Sequence, residues 1–190
     1  MPLSPVYEAP GFLDPTTCQH LRNVMDRGPL EPAEILEEGI SLDEQVRHAA
    51  NVAVDAATIA DIEARLDGAR DGIARFFRVP LGEREGTNFL RYGPGGFYMP
   101  HVDRAESEEW EGAARRQVAV VIFLNDDFTG GALHVIDARH VVQPAAGLLV
   151  AFDAGLLHEV EPVGQGIRYP IVDWFYPPIE REVGGLTNPR

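Results

Sequence analysis

The sequence predicts a β-rich α+β fold, in which N-terminal helices support a jelly-roll (double-stranded β-helix) core. Before about residue 80, apolar residues recur at the three- and four-residue steps of amphipathic helices. From Thr87 onwards, short apolar segments alternate with turns rich in Gly, Pro and Asn-Asp. The segment 117–124 is almost wholly apolar, which is typical of a strand buried on both faces. Short strands that follow helices favour a sandwich of the jelly-roll type.

Two helices are expected in the N-terminal part. Asp14 is a good N-cap and Pro15 a good first residue for one helix, which we expect to end at Gly28-Pro29. Thr58–Asp61 resembles a capping box with Asp in place of Glu, so the second helix is expected to begin at Thr58. Its apolar stripe ends at Val79-Pro80.

Strands are expected elsewhere. Two extended segments are predicted around residues 35–42 and 49–54. In the core, the apolar segments between turns predict strands at 88–92, 97–102, 117–124, 132–136, 140–143, 147–152, 158–163 and 168–176.

The length of 190 residues suits a single domain, 1–190, with a helical front to about residue 80 and a jelly-roll core at about 87–176. Apolar residues make up 45% and charged residues 24%, which is ordinary globular composition. The formal charge of −14 repels nucleic-acid phosphates and anionic lipid, so neither is expected as a partner. The sequence contains no apolar run long enough for a membrane helix and no signal-peptide pattern, so we expect a cytoplasmic location.

The residue types limit the possible chemistry. Cys18 is the only cysteine, which excludes an intramolecular disulfide and a thiolate metal cage. A metal site would therefore use His, Asp and Glu. All sixteen basic residues are arginine, so a buried group that binds a carboxylate would be an Arg.

His101 and Asp103 lie two residues apart at the end of a predicted strand. Because side chains alternate along a strand, both point to one face and can bind one metal ion together. His158 follows another apolar strand and opens a segment that, in a jelly roll, can lie beside the strand of His101. Two histidines and one carboxylate, with other positions open, suit non-haem iron(II) oxygenases.

Arg168 and Tyr92 are candidates for binding a dicarboxylic cosubstrate. Arg168 begins the last predicted strand among apolar neighbours, which suggests partial burial. A guanidinium forms a bidentate pair with a carboxylate. Tyr92 ends a strand just before the turn 93–96 that leads to the His101 strand, and we expect its hydroxyl to donate to the same carboxylate.

These motifs resemble the prolyl-4-hydroxylase-like branch of the 2-oxoglutarate and iron(II) dioxygenases. The resemblance covers about residues 87–176. It is carried, in order, by Tyr92, Gly93-Pro94-Gly95-Gly96, Tyr98, His101-Val102-Asp103, Leu124-Asn125, Gly130-Gly131-Ala132-Leu133, His158 and Arg168. Prolyl 4-hydroxylases proper often have Lys at the Arg168 position, and Arg there is more like oxygen-sensing hydroxylases and many bacterial members. The resemblance therefore supports the cosubstrate more firmly than proline as the substrate.

The resemblance implies Fe(II), 2-oxoglutarate and O2, with ascorbate as a candidate reductant. It implies decarboxylation of 2-oxoglutarate coupled to hydroxylation of an organic substrate. The metal ligands would be His101, Asp103 and His158, and Tyr98 and Trp174 would line the substrate pocket. The substrate is left open between a peptidyl residue such as proline and a small metabolite, and the oligomeric state is unknown.

Other interpretations remain. A non-catalytic jelly-roll module that senses a metal or small acid is the main alternative. A cupin is disfavoured because cupins usually draw ligands from a His-x-His step, which this sequence lacks. The acidic segment 106–111 is interpreted as a solvated loop, with a mobile lid over 104–116 as the alternative.

Overall fold

A computed structural model describes residues 5–33, 35–37, 39–41, 43–104 and 111–179. The first half contains β1 (Val6–Ala9), α1 (Pro15–Met25), β2 (Leu30–Pro32), β3 (Ile35–Glu37), β4 (Gly39–Ser41), β5 (Arg47–His48), β6 (Ala50–Val52), α2 (Ala56–Phe77), β7 (Asn88–Arg91) and β8 (Phe97–His101). The second half contains α3 (Glu111–Arg115), β9 (Val118–Phe123), β10 (Thr129–Gly130), β11 (Leu133–Val135), β12 (His140–Val142), β13 (Leu149–Asp153), β14 (His158–Val160), β15 (Val163–Gln165) and β16 (Pro170–Phe175).

Two antiparallel sheets form the framework. The major sheet has seven strands in the order β1-β13-β9-β16-β7-β6-β2. The minor sheet has five strands in the order β12-β11-β14-β8-β5. Two small two-stranded sheets are also present, the β3-β4 hairpin and the β10-β15 pair. The arrangement is the β-rich jelly-roll core that the sequence predicts.

The central strands of the major sheet are covered on both faces. On one face, Ile62, Leu66 and Ile73 of α2 pack with sheet residues such as Ile122 and Ile171 in one apolar cluster. On the other face, a second cluster fills the space between the sheets, and it includes Leu90, Ala119, Val121, Phe123, Val135, Phe152 and Val160. All six residues of β9 are buried, as its apolar sequence predicts. No described helix has the length and apolarity needed to cross a bilayer.

The second helix begins earlier than predicted. Asp55, not Thr58, is the N-cap, and its carboxylate accepts hydrogen bonds from the backbone N–H groups of Ala57 and Thr58. The Thr58 hydroxyl donates to the same carboxylate at 2.7 Å, so Thr58 supports the cap from inside the first turn. A short carboxylate satisfies two otherwise unpaired amides, which makes Asp the better cap here. The first helix begins after Asp14, as expected.

The N-terminal part is less helical than predicted. It contributes β1 to one edge of the major sheet, β6 and β2 to the other edge, and β5 to the edge of the minor sheet. The predicted extended segment 35–42 contains the β3-β4 pair, and 49–54 contains β6. The predicted strand 158–163 is divided into β14 and β15, which join different sheets. The core therefore extends beyond residues 87–176, and the single-domain organisation stays our proposal.

Gly147 allows a close backbone contact that a larger residue would prevent. Its φ is +79°, and a Cβ placed there would lie 1.9 Å from the Leu13 carbonyl oxygen. Gly95 has the same φ of +79°, but a Cβ there would meet nothing within 4 Å. An added Cβ at Gly95 therefore costs only backbone strain, whereas one at Gly147 costs the same strain and a steric clash with Leu13.

We predict that Gly95→Ala lowers the free energy of unfolding by about 1–2 kcal/mol, the cost of a left-handed conformation. Gly147→Ala is expected to lose roughly 1–3 kcal/mol more, because the backbone of Leu13 must move. Chemical denaturation of both variants measures the difference. Equal losses would show that the contact between Gly147 and Leu13 does not constrain the fold.

Candidate active site

The register of the minor sheet brings two distant histidines together. β14 pairs with β8 in antiparallel fashion, and His158 lies directly opposite His101. Asp103 follows β8, and its backbone N–H donates to the Ala154 carbonyl at 2.9 Å in the turn before β14. The strand pairing thus places all three predicted metal ligands at one end of the minor sheet.

The side chains of these residues converge. One ligand atom from each of His101, Asp103 and His158 lies within 4.8 Å of the other two. The Nε2 atom of His101 is 3.7 Å from Asp103 Oδ1, and that of His158 is 3.5 Å from Asp103 Oδ2. The two imidazole centroids are 4.1 Å apart. A metal ion between them would meet two nitrogens and one carboxylate oxygen.

Backbone carbonyls select the tautomer of both imidazoles. His101 Nδ1 lies 2.8 Å from the Met99 carbonyl oxygen, and His158 Nδ1 lies 2.9 Å from that of Leu156. A carbonyl only accepts hydrogen bonds, so each Nδ1 carries the proton and donates it. Each Nε2 then has its lone pair directed towards the other ligands, which is the usual way in which proteins orient a metal-binding histidine.

The charge states also suit a metal ion. Burial, with the nearby His158 ring, lowers the pKa of His101 to about 3, so this imidazole is neutral near pH 7. Burial by itself raises the pKa of Asp103, but His158, His101 and the neighbouring Trp174 and Arg116 outweigh it. The net effect lowers the pKa of Asp103, so it is a carboxylate. A neutral imidazole and an ionised carboxylate are the forms that bind metals.

Arg168 and Tyr92 lie together beside this cluster. Their backbones pair through two hydrogen bonds of 3.0 Å, from Tyr92 N to Arg168 O and from Arg168 N to Tyr92 O. The Arg168 guanidinium lies between two aromatic rings, with its carbon 5.0 Å from the Tyr92 centroid and 4.9 Å from that of Phe123. Only 2% of Arg168 is exposed.

The surroundings of Arg168 fit an anionic ligand. Among the described residues no carboxylate lies within ion-pair distance of it, and its Nε has no hydrogen-bond partner there. Burial lowers its pKa to about 10, which still leaves it charged near pH 7. A buried cation without a counter-ion is costly. The carboxylate of a bound dicarboxylic acid would supply that counter-ion, while the His-Asp-His donor set suits Fe(II).

A cavity connects the two groups. Its lining includes the five residues described above and both predicted substrate residues, Tyr98 and Trp174. The Tyr98 ring stacks on His101, with centroids 3.4 Å apart and planes at 19°. The rest of the wall is mostly apolar: Leu90, Ala119, Val120, Val121, Leu133, Val160 and Val172.

Two arginines of the cavity were not predicted from sequence. Arg47 lies on β5, and its guanidinium carbon is 4.7 Å from the Tyr98 centroid. Arg116 precedes β9, and its guanidinium carbon is 3.8 Å from the Trp174 centroid. A charged residue two positions before a wholly buried strand could have indicated Arg116, whereas nothing in the sequence distinguished Arg47. Of the segment 104–116, interpreted alternatively as a lid, residues 105–110 lie outside the described residues, whereas α3 is formed by Glu111–Arg115.

Comparison with known proteins agrees with the geometry. Residues 87–176 match the family model of the 2OG-Fe(II) oxygenase superfamily. A PKHD-type hydroxylase of Acaryochloris marina (strain MBIC 11017) is 40% identical over 90 residues. That alignment covers 45% of this chain and 39% of the relative, so the chain spans about two fifths of its length.

Two solved structures resemble the whole chain. A prolyl-4-hydroxylase of Pseudomonas putida is 28% identical with a TM-score of 0.70, and the alignment covers 92% of this chain and 93% of that one. A prolyl hydroxylase of Trichoplax adhaerens, in complex with a peptide fragment of the hypoxia inducible factor oxygen degradation domain, has a TM-score of 0.70. At 20% identity, over 91% of this chain and 84% of that one, it shows the shared fold. Residues 87–176 therefore match the 2OG-Fe(II) oxygenase family model, and the chain is similar to a prolyl-4-hydroxylase in sequence and fold.

Proposed function

We propose that this protein is a non-haem Fe(II) hydroxylase that uses 2-oxoglutarate. The convergence of His101, Asp103 and His158 beside the buried Arg168 is the observation that carries the proposal. When bound, Fe(II) with 2-oxoglutarate and O2 supplies the oxidising chemistry: one oxygen atom enters the substrate, and the other leaves in succinate as CO2 is released.

The chain's own residues prepare the metal site. The Met99 and Leu156 carbonyls hold the two Nδ1–H groups, so both Nε2 atoms are ready as ligands without a proton transfer. The Asp103 carboxylate contributes the single negative charge among the three proposed metal ligands. Three protein ligands leave the remaining positions of the metal open for small molecules, as this chemistry requires.

Arg168 and Tyr92 are proposed to orient the cosubstrate. The guanidinium would pair with the carboxylate farthest from the metal, and the Tyr92 hydroxyl would donate to the same group. The apolar residues of β9 and β16 that line the cavity exclude water, which strengthens this ion pair.

Tyr98 and Trp174 are proposed to contact the substrate, because both rings face the cavity. Structural neighbours include a hydroxylase with a bound peptide, and a peptidyl residue is one candidate substrate for this chain. A small metabolite is the other candidate. Ascorbate is retained as a candidate reductant, and a cytoplasmic location stays a prediction from sequence.

The first test is turnover. Purified protein with Fe(II), 2-oxoglutarate and O2 should form succinate, and His158→Ala should abolish it because one metal ligand is lost. His134→Ala removes an imidazole from the neighbouring strand β11 outside the cavity and should leave the rate unchanged. Assays with and without ascorbate test the reductant. Binding of 2-oxoglutarate without any succinate would favour the sensor alternative.

The second test separates binding from stability. Arg168→Met should cost about 2–5 kcal/mol of cosubstrate binding, a roughly 30-fold or larger rise in the KM for 2-oxoglutarate. It should not lower the melting temperature of the cosubstrate-free protein, because it removes an uncompensated buried cation.

Arg84→Met is the matched control for this test. Arg84 is partly buried, with 9% of its side chain exposed, and it pairs with Asp173 at 2.7 Å and Asp67 at 2.9 Å. Its loss should lower the melting temperature and leave the KM unchanged. An unchanged KM in Arg168→Met would contradict the assignment of Arg168.

The third test concerns the substrate. Candidate peptides and free metabolites, incubated with the complete system, should show one added oxygen by mass spectrometry in only one of the two classes. Trp174→Leu should raise the KM for that substrate while leaving the KM for 2-oxoglutarate unchanged. An unaltered KM for the substrate would remove Trp174 from the proposed binding wall.

A further inference from the structure

A buried ion pair lies just outside the metal-binding residues. Arg116 is 5% exposed and directs its guanidinium at Glu85, with Nε donating to Oε2 at 2.6 Å and Nη2 donating to Oε1. Glu85 is itself held by its backbone N–H, which donates to the Trp174 carbonyl at 2.9 Å. Burial, with the charge and hydrogen bonding of Glu85, raises the pKa of Tyr176 to about 12. The Glu85 carboxylate is thus enclosed on several sides.

The same guanidinium reaches two parts of the active site. Arg116 Nη1 donates to the backbone carbonyl of Asp103 at 3.2 Å. Its guanidinium carbon lies over the Trp174 ring, 3.8 Å from the centroid. Two of its nitrogens are therefore engaged by Glu85, while a third holds the backbone of a proposed metal ligand.

We propose that Glu85 is a positioning residue for the metal site, acting through Arg116 on the backbone of Asp103. The inference rests on the proposed function, since it concerns the same metal site. Neither Glu85 nor Arg116 would touch the metal. Their effect would be to fix the direction from which the Asp103 carboxylate approaches the metal.

The backbone around Asp103 explains why this contact matters. Its N–H donates to the Ala154 carbonyl, which anchors the amide side of the residue to the turn before β14. The peptide on its carbonyl side lies beyond β8, which ends at His101. There the Arg104 N–H donates to the Ala154 carbonyl at 2.8 Å, and Arg116 donates to the Asp103 carbonyl itself. With both sides fixed, the carboxylate has little freedom to turn away from the two imidazoles.

Removing the charge of Glu85 should release this anchor. A buried guanidinium that loses its carboxylate is strongly destabilised and tends to turn towards solvent. The hydrogen bond to Asp103 and the stacking on Trp174 would then be lost together. Outer-shell partners of this kind typically change metal affinity by about 10- to 100-fold.

The chain offers a closely matched control. Arg84 and Asp173 are the sequence neighbours of Glu85 and Trp174, and they form an ion pair in which Asp173 is buried and Arg84 partly buried. Because side chains alternate along β16, Asp173 lies on the opposite face of the sheet from Trp174, where Arg84 also binds Asp67 of α2. Glu85→Gln and Asp173→Asn therefore remove equivalent charges on opposite faces.

The experiment measures metal binding in the full chain without turnover. Dissociation constants for Mn(II) are determined by calorimetry, and the visible absorption spectrum is recorded with Co(II) in place of iron. Melting temperatures without metal give the purely structural effect. Glu85→Gln is expected to raise the Mn(II) dissociation constant about tenfold or more and to shift the Co(II) bands. Asp173→Asn should lower the melting temperature with the affinity and the spectrum unchanged.

Arg116→Lys provides a second route to the same result. A Lys cannot bond Glu85 with two nitrogens and Asp103 with a third, so Arg116→Lys should also raise the Mn(II) dissociation constant and shift the Co(II) bands. This variant therefore tests the proposal if Glu85→Gln does not fold. Parental affinity and spectrum in a folded Glu85→Gln or Arg116→Lys variant would overturn the proposal. Failure of the proposed function is distinguishable, because the unaltered chain would then either not bind Mn(II) or Co(II) with His101, Asp103 and His158, or bind metal without forming succinate.

Discussion

The pairing of β8 with β14 is the constraint on which the active site depends. Histidines 57 positions apart in sequence become direct neighbours because His158 lies opposite His101. A shift of one residue in this register would turn one imidazole to the other face of the sheet. The turn before β14 also accepts the Asp103 N–H, so the same strand pairing places the carboxylate. One local alignment thus assembles all three side chains.

Charge burial is the second organising feature. The protein carries a formal charge of −14, yet Arg47, Arg116 and Arg168 line one cavity. Arg116 is compensated by Glu85, whereas Arg168 lies between two rings with no carboxylate of the described chain beside it. The difference assigns them different roles: a compensated arginine supports structure, and an uncompensated one suits an incoming anion. This contrast is why we assign Arg116 to positioning and Arg168 to cosubstrate binding.

Much of the core was predictable because its strands are separated by strong turn signals and because β9 is continuously apolar. The predictions failed where local signals were weak. β1, β2 and β5 have two to four residues each, too few for a period-two pattern, and they become strands through pairing with partners far along the chain. At α2, two competing caps lie three residues apart, and the Asp55 carboxylate accepts hydrogen bonds from both free amides.

The sequence by itself determined the chemical types at the site: two histidines, an aspartate, an arginine and a tyrosine, in an order that resembles one oxygenase branch. Those identities and spacings are properties of the chain itself and do not depend on how it folds. Only the tertiary structure decided that Nε2 of each histidine is the free nitrogen, that Arg168 is buried without a counter-ion, and that Glu85 reaches Asp103 through Arg116. Such properties depend on which groups exclude water and which partners meet across strands, and these are settled only when distant segments pack together.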